Sequence, residues 1–89
     1  MGLTPEERCG VARALLRHPE WRGRLERAAG ADEVLADLCG SYAAAWRALE
    51  YWSKRTGARA NERVVEYEEA IAGLEADLAH WLRRGSDAS

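Results

Sequence analysis

Residues 32–84 read DEVLADLCGSYAAAWRALEYWSKRTGARANERVVEYEEAIAGLEADLAHWLRR, and this stretch decides the fold. Its apolar residues Leu35, Leu38, Tyr42, Ala45, Leu49 and Trp52 are answered by Val64, Tyr67, Ile71, Leu74, Leu78 and Trp81. Both sets step by three and four residues, the spacing of a seam along one face of a helix. Paired inward from their outer ends, Leu35 with Trp81 through to Trp52 with Val64, they lie symmetrically about position 58, beside Gly57. The pattern predicts two long helices folded back on each other as an antiparallel hairpin. Asp32 is the natural N-cap of the first, which runs without proline to about Arg55. Gly57 is placed to close it, and Asn61 is a reasonable cap for the second, with an earlier start at Ala58 and Arg59 as the alternative; the second helix is expected to end near Arg84, leaving residues 85–89 as a disordered tail.

The two seams differ in width. The second helix carries Arg63, Glu68, Glu75 and Asp77 on its flanks and Glu62, Glu66 and Glu69 outward, as a helix buried along one stripe should. The first also carries Cys39 and Trp46 on one flank, with Val34, Ser41 and Ala48 on the other. One partner cannot cover so wide a surface, so this helix is expected at the centre, with a further element on its Cys39/Trp46 side.

That element is residues 5–29. Thr4-Pro5-Glu6-Glu7 is a helix start: the threonine hydroxyl caps backbone donors, proline suits the first turn, and Glu7 completes a capping box. Cys9, Ala12, Leu15 and Leu16 are expected inward. Pro19 disfavours helical geometry at His18 and so breaks the arm, then opens a second short helix showing Trp21, Leu25 and Ala28, with Gly30 as a left-handed cap. The expected fold is all-α, a single helical domain over residues 1–89: a three- or four-helix bundle on a long antiparallel hairpin with a proline-broken N-terminal arm.

Composition bounds the function. Of 42 hydrophobic residues among 89, 17 are alanine, and there is no phenylalanine, so four tryptophans and three tyrosines must supply much of the buried area. Net charge is −2, with six arginines against four glutamates in residues 1–30 and seven basic against eleven acidic groups in residues 31–89. A general nucleic-acid or anionic-membrane binder shows a stronger basic bias. No stretch has the length of a membrane span, and the N-terminal residues lack a secretion signal, so a cytoplasmic protein is expected, with Cys9 and Cys39 as reduced, buried thiols.

Chemistry is sparse. His18, His80, Cys9 and Cys39 form no close ligand pair of the kind structural zinc requires, and Asp77-x-x-His80 occurs once where a di-iron bundle needs it twice with two more carboxylates. There is no nucleophile elbow, no phosphate-binding glycine loop and no haem attachment motif. Neither enzymatic activity nor a cofactor is expected. Arg13, Arg17, Arg24 and Arg27 form a second basic set on the arm, but Gly23, Glu20 and Glu26 make it a poor groove-reading helix. Two features point outward. Lys54, Arg55, Arg59 and Arg63 gather at the hairpin tip, with Arg55 and Arg63 on facing flanks, as a candidate site for an anion or a partner's carboxylate. Trp21 and Tyr51 fall off the seams and are candidate interface residues. The function expected is an interaction or adaptor module that binds a protein partner or itself as a homodimer. The alternative is a regulatory binder of nucleic acid or another anion through the tip.

Overall fold

In the computed structural model, which describes residues 2–87, four α-helices pack together, and no strand occurs among the described residues. They are α1 (Pro5–Arg17), α2 (Arg24–Ala31), α3 (Glu33–Ser53) and α4 (Ala58–Asp87), with a 3₁₀ turn at Pro19–Trp21 between the first two. The all-helical class expected from the seams is the class observed. The body measures 49 × 24 × 20 Å, its long dimension set by the 30 residues of α4. Among the described residues no helix is long and apolar enough to cross a membrane.

Local chemistry explains the helix ends. The Thr4 hydroxyl accepts from Glu7 N at 3.1 Å while Thr4 N donates to Glu7 Oε1 at 2.8 Å, the reciprocal box read from the sequence. Asp32 Oδ1 accepts from Val34 N at 2.8 Å and Leu35 N at 3.3 Å, starting α3. Gly57 takes φ +108°, a left-handed conformation open to glycine, in the four-residue connection between Ser53 and Ala58. α4 is already helical at Ala58, so Asn61 is no cap: its N–H donates to Gly57 O inside the first turn. At the other end α4 continues to Asp87, taking in residues 85–87 of the expected tail; Gly85-Ser86-Asp87 disfavours helix without blocking it as proline would. Ala88 and Ser89 lie outside the described residues.

The arm breaks twice rather than once. After Pro19 the chain makes only one 3₁₀ turn, and Gly23, at φ +82°, redirects it before α2 begins. Gly30 is ordinary helix within α2, and Asp32 receives the end of that helix in extended geometry.

The core joins Val11, Ala14, Trp21, Leu25 and Ala29 of the arm to Leu35, Cys39 and Tyr42 of α3 and Ile71, Leu78 and Leu82 of α4. α3 shares its largest contact surfaces with α4 and α1. The face that α1 buries differs from the one expected. Gly10, Val11 and Ala14 go inward, whereas Leu16 is 81 % exposed and Cys9 and Ala12 face solvent. The cause is close approach at Gly10, where a Cβ would overlap the carbonyl of Cys39. A helix that touches another backbone to backbone must present its smallest residues at the contact, and that turns Leu16 away. The Val34 and Ser41 flank of α3 is likewise exposed, with Ala48 half-buried.

Candidate functional site

The sequence-predicted tip residues are all accessible, but they do not form one site. Lys54 caps α3 and lines an open depression with Arg47, Glu50, Tyr51 and Arg55. Arg55 lies over the Tyr51 ring at 4.2 Å, a cation–π contact that leaves its guanidinium edge in water. Arg63 turns along its own helix to Glu66 at 2.8 Å and does not share the depression, nor does Arg59. Among the described residues none pairs Lys54, Arg55 or Arg59 with a carboxylate.

The two aromatic candidates separate. Tyr51 is 51 % exposed, and its ring meets Trp52 edge to face at 5.2 Å. Trp21 is 7 % exposed and belongs to the core, so its assignment to an interface is corrected. The 3₁₀ turn folds it back beneath His18, which stacks on it at 4.0 Å with 13° between ring planes. Its indole thereby supplies the area that an alanine-rich arm lacks.

The most connected polar group was not legible in the sequence. Glu75, expected as a solvated flank residue, has only 14 % of its side chain exposed. Its Oε2 accepts from the Tyr42 hydroxyl at 2.6 Å and from Arg17 Nε at 2.6 Å, and its Oε1 lies 3.7 Å from His18 Nε2. The cluster thus draws on α1, α3, α4 and the turn after α1. Arg13 and Arg17 both stand over the Trp46 ring, at 4.9 and 5.3 Å, and Arg13 continues to Glu50 at 2.6 Å. Burial first, then the bond to Glu75, pushes Tyr42 up to about 12; the nearby Trp46 indole N–H acts the other way, although Nε1 reaches no partner in hydrogen-bond geometry. Tyr42 therefore stays a donor, Glu75 an acceptor, and the cluster fastens the arm to α3 and α4.

The remaining ligand types are scattered. Cys39 is fully buried, and burial pushes its thiol up to about 11, whereas Cys9, expected buried, is exposed. His80 and Asp77 are both exposed. Among the described residues no three His, Cys, Asp or Glu side chains come together as a metal site would need. Of the arm's arginines, Arg13 and Arg17 are spent on Glu50 and Glu75, and Arg24 donates to Leu82 O at 3.3 Å. Compared with known proteins, the chain matches no family model, no curated protein and no solved structure.

Proposed function

We propose that the chain is a non-enzymatic helical interaction module that self-associates. On this reading α3 and α4 form an antiparallel hairpin, with the broken arm packed along one side as the third layer of a bundle. The bond from Tyr42 to Glu75 supports it, because Glu75 is the neighbour of Leu74, the residue opposite Tyr42 in the mirrored seams. The four-residue connection supports it too, since so short a link favours antiparallel neighbours. The module works in the cytoplasm, with both thiols reduced.

The observation that carries self-association is apolar surface left uncovered on α3: Val34 is 53 % and Tyr51 51 % exposed. Aromatic and branched residues in that setting serve contacts with other chains. Sedimentation velocity between about 1 and 100 μM, the range of ordinary protein–protein affinities, is expected to show a monomer–dimer equilibrium. A single monomeric species throughout would sink the proposal.

A second reading is favoured by one observation, the absence of carboxylate partners for Lys54, Arg55 and Arg59 among the described residues. A nucleic-acid phosphate or another anion would satisfy them. Retention on nucleic acid that falls steeply with salt and disappears in an Arg55→Glu, Arg59→Glu variant would support it. No retention in dilute salt would end it.

A further inference from the structure

We infer that the flank of α3 and α4 facing away from α1 binds a second copy of the chain laid antiparallel across it, each basic tip meeting the other's acidic end; the inference rests on the self-association and the hairpin proposed above. The arm marks one side of the helix pair. α1 meets α3 at Cys39 and Trp46, Arg17 and His18 meet Glu75 of α4, and Arg24 meets the Leu82 carbonyl. Two residues further along a helix the side chain has turned by about 200°. Opposite the arm therefore lie Ser41 and Ala48 on α3, and Asp77 and Arg84 on α4, with Val34, Arg63 and Ala70 on the same rows at steps of seven, while Arg55 follows the end of α3 at the tip. Half-buried Leu38, Tyr67, Leu74 and Trp81 border this flank, so apolar area continues from the core onto it.

Its charges say what covers it. In the mirrored register a residue n of α4 stands level with residue 116 − n of α3, since the pairs are symmetric about position 58. Arg63 is then level with Ser53, two residues before Arg55, whose guanidinium rests over Tyr51 and must swing off that ring to reach the flank, and Asp77 is level with Cys39, beside Asp37. A basic pair and an acidic pair thus stand roughly 25 Å apart at 1.5 Å per residue, equidistant from the level of Trp46 and Ala70. Glu33 and Arg84, further out, are level and opposite in sign. Among the described residues neither Asp37 nor Asp77 pairs with a cation, and Arg63 finds only Glu66 of its own helix. A second copy rotated by a half turn about that middle level sets Arg55 and Arg63 over the partner copy's Asp37 and Asp77, and the reverse, in one closed isologous contact. A parallel second copy would set like charges together. Ala44, Ala70 and Gly73 are exposed at the centre, and their small size lets the helices approach there.

Charge exchange tests the inference. Arg55→Glu with Arg63→Glu makes both ends of the flank acidic, and Asp37→Lys with Asp77→Lys makes both basic. All four residues lie on the surface, and retained helical circular dichroism checks that each variant is folded. Each variant alone is expected to raise the dimer dissociation constant about a hundredfold. Mixed in equal amounts, the two are expected to form a heterodimer, because every contact then joins opposite signs. A wild-type dimer that neither variant weakens overturns this surface and leaves self-association standing, whereas a wild-type monomer overturns both. Weakening of each variant without rescue in the mixture also overturns the antiparallel pairing. Loss of nucleic-acid retention in the first variant, with its dimer intact, would assign the tip to phosphate instead.

Discussion

At Tyr42 a single hydroxyl decides how the core handles charge. The ring is fully buried and its oxygen donates to Glu75, so Tyr42→Phe removes a bond to a charged acceptor without opening space. A loss of about 2 kcal/mol in urea unfolding is expected, because Glu75 keeps Arg17 but loses its buried donor. The pH dependence follows from two raised groups. Cys39 moves from 9.0 to about 11 and Tyr42 from 10.0 to about 12, so the folded chain holds both protons more tightly than the unfolded chain. Their stabilisation is complete below about pH 9 and is lost as pH rises to about 12, amounting to at most about 4 kcal/mol by pH 11. Unfolding measured at stepwise pH should show this alkaline loss, with Cys39→Ala removing its earlier part and Tyr42→Phe its later part. Alkylation should label Cys9 in the folded protein and Cys39 only after unfolding, since Cys39 is sealed between α1 and α3. Nothing in the sequence distinguished these cysteines, because the one that is buried lies under a glycine rather than within an apolar run.

Between elements, the α1/α3 contact inverts the usual effect of filling a glycine. Gly10→Ala improves helix propensity by about 1 kcal/mol, but the new methyl would strike the Cys39 carbonyl and the helices would have to separate. A net loss of about 2 kcal/mol is expected, within the range for overpacking. Gly40→Ala is the matched control, for its Cβ would meet only Glu7 Cγ at 3.6 Å and Glu6 Cγ at 3.9 Å, and thermal unfolding should show it neutral or stabilised. The pair also shows how far the sequence was legible. The seams of α3 and α4 could be read because their large residues repeat at helical spacing. The facing of α1 could not, because hydrophobic periodicity gives weight to Leu16 and none to Gly10, and the glycine governs. Glu75 was missed for a related reason. Its burial depends on Arg17, His18 and Tyr42, which lie 58, 57 and 33 residues away, and no local pattern announces partners so distant.

Over the whole molecule the distribution of charge has more consequence than its sum of −2. In the proposed hairpin the exposed tip is basic, the acidic pair lies toward the other end, and their separation of roughly 25 Å at 1.5 Å per residue exceeds one Debye length of about 8 Å in physiological salt. Within one chain the two groups therefore barely interact, but between two antiparallel chains they would stand in contact. Their attraction is screened only in part there, so the dimer should weaken as salt rises from about 20 to 500 mM without vanishing, because Val34 and the half-buried aromatics contribute independently of salt. Shape gives a separate measurement. Two bodies crossed about the middle of their length thicken without lengthening, and small-angle scattering of the dimer should give a maximum dimension close to the protomer's own, about 50–60 Å once side chains and hydration are added. A dimer joined tip to tip would approach twice the protomer length and would set Arg55 and Arg59 of both chains against each other. Such a dimension would require an anion between the tips, and the acidic pair at the far end would then have no part in assembly.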